Sequence, residues 1–190
     1  MGVNTEYKNQ IKALLDNNTS FSRPDDKPVV FVGAGTCGLA CGAGSSLEAI
    51  KSALESSGID AEIIEVGCVG FCEVEPIIDV KLPGKPRVSF FKADSNHAKQ
   101  IVETYIKNGS LEGLNVLGQY KHESIEPLEG IEEISQIPFF KKQMKIVLEN
   151  CGVINPTNLE EYISRGGFKG FTKLLKEYTP ERVIDDVLKS

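Results

Sequence analysis

Apolar positions along this chain follow two rhythms, and the switches between them mark its elements. Tyr7, Ile11, Leu14 and Leu15 recur at helical spacing and predict a short amphipathic helix over Asn4–Asp16, followed by a polar, proline-bearing linker over Asn17–Lys27. Val29-Val30-Phe31-Val32 is a compact β-branched run that predicts a buried strand, and it feeds a glycine-rich loop over Gly33–Gly44. Ser45 with Glu48 reads as a capping box for a helix over Leu47–Ser56, stopped by Gly58. Ala61–Val66 reads as a second strand. The runs Ile77–Leu82 and Arg87–Lys92 flank Pro83-Gly84-Lys85-Pro86 and predict a hairpin. Asp94 or Ser95 then opens a helix that carries Ala98, Ile101, Val102, Tyr105 and Ile106 on one face and ends at Gly109.

This order is β-α-β, a β-hairpin, then α. The first two strands can lie parallel through a right-handed crossover, and the hairpin adds antiparallel strands. The expected result is an α/β unit of thioredoxin-like type over residues 27–110, preceded by the helix and linker at 1–26. Past residue 110 the composition shifts to Gly, Glu and Ser with weak periodicity, so 111–137 reads as a linker or extended arm. Helical pattern resumes at Phe139–Asn150, with Gly152 as its stop. Three more helices are predicted: one from Thr157 as N-cap through Ile163, one over Phe168–Tyr178, and one opened by Thr179-Pro180-Glu181 and running through Leu188. Residues 138–190 therefore read as a short all-helical segment.

Composition narrows the function. A chain of 190 residues with 41% hydrophobic content can build a core without disulfides. The formal net charge of −6 argues against nucleic acid as a partner, because phosphate contacts need clustered Lys and Arg. The longest apolar runs are too short to cross a bilayer, and residues 1–18 show no apolar secretory core, so the expectation is a cytoplasmic protein without membrane insertion. In a reducing compartment, five cysteines read as metal or redox groups before they read as disulfides.

Four of the five form two pairs of equal spacing, Cys37-Gly-Leu-Ala-Cys41 and Cys68-Val-Gly-Phe-Cys72, each in the loop after one of the two parallel strands. Adjacent parallel strands bring those loops together, so the four thiols can converge, with interleaved glycines letting backbone N–H groups reach sulfur. Four thiolates suit an iron–sulfur cluster or zinc. A thioredoxin-type dithiol fits less well, having two residues between its cysteines where these have three. Cys151, before Gly152, reads as a packed thiol, and His97 and His122 as solvated. A competing pattern, Gly33-Ala-Gly35-Thr-Cys-Gly38, matches the dinucleotide fingerprint, with Glu65 available for a ribose. Against it stand a helix expected only near Ser45, Cys37 inside the motif, and a hairpin where a further β-α-β unit would be needed.

Gly35-Thr36-Cys37-Gly38-Leu39-Ala40-Cys41-Gly42-Ala43 and Gly67-Cys68-Val69-Gly70-Phe71-Cys72-Glu73-Val74-Glu75-Pro76 resemble the thioredoxin-like 2Fe–2S ferredoxin domain of NADH-oxidising flavoprotein subunits in hydrogenases and related bacterial oxidoreductases. Four later stretches are similar to the start of the flavin-binding region of the same subunits. They are Pro138-Phe139-Phe140-Lys141-Lys142-Gln143, Asn150-Cys151-Gly152, Glu161-Tyr162-Ile163-Ser164-Arg165-Gly166-Gly167-Phe168 and Thr179-Pro180-Glu181-Arg182-Val183-Ile184. The resemblance implies a 2Fe–2S cluster on Cys37, Cys41, Cys68 and Cys72, and electron transfer within a multi-subunit redox complex. Many relatives place the first ligand where Val32 stands here, and Cys41 is its replacement. FMN, NAD and a 4Fe–4S centre belong to the parent subunit, beyond the last residue of this chain, so the chain reads as a fragment that does not oxidise NADH alone. The other readings are a structural zinc module serving as an interaction platform and a dinucleotide-binding enzyme; homo-oligomerisation stays open.

Overall fold

The computed structural model describes Phe21 and residues 23–190, so the helix predicted over Asn4–Asp16 lies outside the described residues. The chain divides into one compact unit, Arg23–Pro156, and a helical unit that includes Thr157–Ser190.

The first unit is built on a five-stranded sheet in the order β2-β1-β3-β4-β5. β1 (Val29–Gly33) pairs parallel with β2 (Glu62–Val66) and antiparallel with β3 (Ile78–Lys81), and β3 forms the predicted hairpin with β4 (Val88–Phe90). Two parallel strands joined through helices, then an antiparallel hairpin and a helix, are the thioredoxin-like arrangement expected from the sequence.

β1 is buried along its whole length because both faces of the sheet are covered. Val30 and Val32 face the main core with Ile78, Val80, Val88 and Phe90. That core is closed by α2 (Ala43–Ser57) through Leu47, Ile50 and Leu54, and by α3 (Ser95–Gln100), whose π-helical continuation Ile101–Ile106 adds Val102 and Tyr105. Val29 and Phe31 face the opposite side with Ile64 and Val66. Asp94 caps α3, its carboxylate accepting from the His97 N–H at 2.9 Å. The Tyr105 ring packs edge-on against Phe90 at 5.5 Å between centroids, but its buried hydroxyl has no hydrogen-bond partner.

Burial pushes the Tyr105 phenol up from its ordinary value of 10 to about 12. A folded pKa above the unfolded one contributes stability that is complete below pH 10 and is lost as pH rises toward 12. Tyr105→Phe removes an unpaired buried hydroxyl, so it is expected to stabilise the fold by about 1 kcal/mol at pH 7. It should also blunt the alkaline loss between pH 10 and 12; urea titrations across that range check both effects.

Several elements differ from the sequence expectation. α2 begins at Ala43 because Gly42, at φ +100°, turns the chain directly into it. Ser45 thus lies inside the helix and forms no capping box. Within 111–137, expected to be a linker or arm, Val116–Gln119 forms β5 against β4. The side chain of Gln119 explains why the following loop folds back. Its amide donates to Leu128 O (2.9 Å) and Ile131 O (2.6 Å), and its oxygen accepts from Leu128 N–H (2.7 Å). His97 is buried, not solvated, with Nε2 accepting from the Asn115 N–H at 3.0 Å. Of the helix predicted over Phe139–Asn150, only α4 (Pro138–Lys141) is helical, and the rest is irregular chain and turns.

The second unit carries α5 (Leu159–Ser164), capped by Asn158 where Thr157 was expected, then α6 (Lys169–Glu177) and α7 (Pro180–Lys189), the last capped by Thr179 as its sequence implies. Among the described residues no helix is long and apolar enough to cross a membrane.

Candidate metal centre

Because β1 and β2 are parallel neighbours, the loops leaving their C-terminal ends lie side by side. Ala34 N–H donates to Val66 O at 2.9 Å and ties the two loop starts together. The first loop folds at once into α1 (Thr36–Ala40), whose first turn carries Cys37. Gly35 lies where the loops touch: a methyl group there would be 3.1 Å from Cys68 N, so a side chain would force them apart. The second loop carries Cys68 and then a short 3₁₀ turn, Cys72–Val74.

Three of the four sequence-predicted thiols meet. The Sγ atoms of Cys37, Cys68 and Cys72 all lie within 4.8 Å of one another, with Cys68 and Cys72 at 3.7 Å. Gly70 N–H points at Cys68 Sγ at 3.3 Å. Cys41, exposed at the C-terminus of α1, is not part of this group.

Cys68 and Cys72 favour the neutral thiol when no metal is bound. Burial pushes the Cys68 thiol up, and the hydrogen bond with Cys37 pushes the Cys72 thiol up. Three thiolates so close together would repel one another, and a soft cation that displaces their protons relieves that repulsion. An all-sulfur donor set with a backbone N–H aimed at one sulfur fits an iron–sulfur cluster, and zinc as well.

Sequence reasoning singled out no group around the thiols, yet several enclose them. Glu75 is buried beside Cys68; its carboxylate accepts from Ile77 N–H at 2.8 Å, and burial pushes its pKa up. Residues 138–152 wrap the outside of the Cys68–Cys72 loop. Phe139 stacks on Phe71 at 3.9 Å between ring centroids, and Lys145 Nζ donates to Val69 O at 3.0 Å. Cys151 packs here too: a methyl at Gly67 would sit 3.5 Å from its sulfur. It therefore borders the loop that holds Cys68, an arrangement that the 82 residues between Cys68 and Cys151 conceal. Arg87 fastens the wrap. Its Nη2 donates to Asp79 Oδ2 and to Gly152 O, each at 2.6 Å, while its guanidinium lies 3.6 Å over the Phe31 ring.

The dinucleotide pattern at Gly33–Gly38 has a different setting from the one expected. α1 starts inside the motif at Thr36, earlier than the helix predicted near Ser45, so that ground against nucleotide binding does not hold. The other grounds remain, since Cys37 in this motif joins the thiol group and β3–β4 is an antiparallel hairpin.

Comparison with known proteins adds a family. No family model matches the chain. It is 31% identical over 106 residues to the NADP-reducing hydrogenase subunit HndB of Solidesulfovibrio fructosivorans, a match that covers 55% of this chain and 71% of that protein. The NADP-reducing hydrogenase subunit HndC of the same organism is 42% identical over 50 residues, covering 26% of this chain and 10% of HndC. Two solved structures of a thioredoxin-like [2Fe–2S] ferredoxin from Aquifex aeolicus are similar at 20% identity. One aligns with 48% of this chain and 96% of its own at a TM-score of 0.41, the other with 53% and 98% at 0.42.

Proposed function

This chain belongs to the family of the NADP-reducing hydrogenase subunit HndB, and on that premise we propose that it is the electron-transfer part of an NAD(P)-linked hydrogenase-type complex, holding a 2Fe–2S cluster. The observation that carries the reading is the convergence of Cys37, Cys68 and Cys72 at the ends of two parallel strands. When bound, the cluster supplies one-electron transfer.

The residues of the chain hold and tune that group. Cys37, Cys68 and Cys72 give up their thiol protons to become ligands, and Cys41, one helical turn after Cys37, is the candidate for the fourth place. The Gly70 N–H already directed at Cys68 Sγ stabilises negative charge on that sulfur. The wrap of residues 138–152 shields one side of the loop from water, while Cys72 stays exposed and offers the short approach an electron partner needs. The flavin and nicotinamide chemistry belongs to the parent subunit outside these residues, and residues 138–190 resemble the start of its flavin-binding region.

Iron analysis of Cys41→Ser tests the ligand set. The variant is expected to hold markedly less iron than the parent chain after anaerobic loading, with an altered visible spectrum. Unchanged iron and spectrum would remove Cys41 from the site. The chain on its own is expected to show no NADH oxidation with artificial acceptors, and turnover by pure protein would contradict its role as an electron carrier.

A further inference from the structure

Lys145 is an unusual residue to find over a thiol site. It lies in the wrap of residues 138–152, which the sequence links to a different region of the parent subunit, yet its ammonium reaches back to the cysteine loop. Nζ donates to the carbonyl of Val69, the residue after Cys68, at 3.0 Å, and lies 4.5 Å from the centre of the Phe140 ring. The Phe140 ring is itself held at the site by Phe71, edge to face at 5.6 Å. Leu148 closes against Gly70 on the same loop, where a methyl would meet it at 3.3 Å. The cation is thus fixed at both ends, by a carbonyl of the ligand loop and by an aromatic face.

We propose that Lys145 sets the reduction potential of the cluster, acting as a fixed positive charge beside Cys68 that favours the reduced, more negative state. This rests on the cluster reading above. Adding an electron to a thiolate-ligated cluster adds negative charge, and a nearby cation in a partly dry setting stabilises the product more than the reactant. The negative charge of Glu75, on the same loop beside Cys68, works in the opposite direction when ionised. Burial holds the Lys145 pKa below its usual value, with the nearby Cys151 and Cys68 acting in the opposite direction.

The test is an anaerobic redox titration of the loaded chain and its Lys145 variants, with iron content measured in parallel. Lys145→Gln keeps an N–H donor for Val69 O and removes the charge; Lys145→Arg keeps the charge. At the parent's midpoint potential, Lys145→Gln is expected to show a ratio of reduced to oxidised cluster about tenfold lower, equivalent to about 59 mV for one electron. Lys145→Arg is expected to stay close to the parent. Full iron with an unshifted midpoint in Lys145→Gln would overturn the proposal and leave the cluster reading standing. An equal shift in Lys145→Arg would also overturn it, because packing and not charge would then be responsible. If Lys145→Gln loses iron, Lys145→Met serves as the second variant and must show the same downward shift. A parent chain that takes up no cluster would overturn the premise and the proposal with it.

Discussion

Replacing Cys68 with serine is expected to abolish cluster binding while leaving the fold intact. Cys68 is the hub of the thiol group: it sits 3.7 Å from Cys72, receives the Gly70 N–H, and belongs to the loop against which Gly35 packs. Loss of one of so few ligands is expected to lower cluster affinity by more than about 100-fold, beyond the 10–100-fold effect typical of residues that only support a ligand. The side chain is only half-buried and lies outside the main apolar core, so the metal-free variant should melt within a few degrees of the metal-free parent. Cys151→Ser is the control. Its sulfur borders Gly67 but is not one of the three grouped thiols, so iron and spectrum should persist.

The second large effect concerns stability. Arg87→Met is expected to destabilise the first unit by about 3–5 kcal/mol, as expected when one partner of a buried ion pair is removed. Asp79 is almost wholly buried, its Oδ2 takes both Arg87 contacts (Nε at 3.0 Å and Nη2 at 2.6 Å), and its Oδ1 already lacks a partner. Without the guanidinium a buried carboxylate is left uncompensated. Residues 138–152 also lose the tether at Gly152 O, so limited proteolysis should cut the wrap earlier than in the parent. Urea denaturation of Arg87→Met, Asp79→Asn and the double variant checks the mechanism: coupled losses should make the double change cost less than the sum of the singles. Strict additivity would mean that the pair is not a unit.

How much of this was legible in the sequence follows from how local each interaction is. β1 to β4 were readable because β-branched runs and a proline–glycine turn announce strands and a hairpin without help from distant residues. The meeting of Cys37, Cys68 and Cys72 was readable for the same reason, since equal placement after two parallel strands brings their loops together. β5 was not, because four residues with a glycine among them carry little strand signal, and it is held by β4 and the Gln119 side chain. α1 escaped notice because a five-residue helix sits within a run of glycines that reads as loop. The wrap misled more actively. Phe140, Met144, Val147 and Cys151 recur at helical spacing, yet Met144 and Val147 are 86% and 92% exposed, and it is Lys145 and Leu148 that reach the cysteine loop. Contacts across some 75 residues of chain, as between Lys145 and Val69, leave no periodic trace.

The separation of Cys41 from the other three thiols has a local cause as well. Four residues after Cys37 in a short helix, it reaches the C-terminal end of α1, beyond the point where the loops touch at Gly35. Spacing alone gave both pairs equal weight, whereas the fold gives the second pair and Cys37 the central place.

Most direct is the visible spectrum of the chain purified without oxygen, read before and after dithionite, together with iron, sulfide and zinc analysis of the same sample. The expected result is a coloured protein whose visible bands bleach on reduction, with iron and acid-labile sulfide in equal amounts. A colourless protein carrying zinc in place of iron would contradict the assignment of an electron-transfer cluster to Cys37, Cys68 and Cys72.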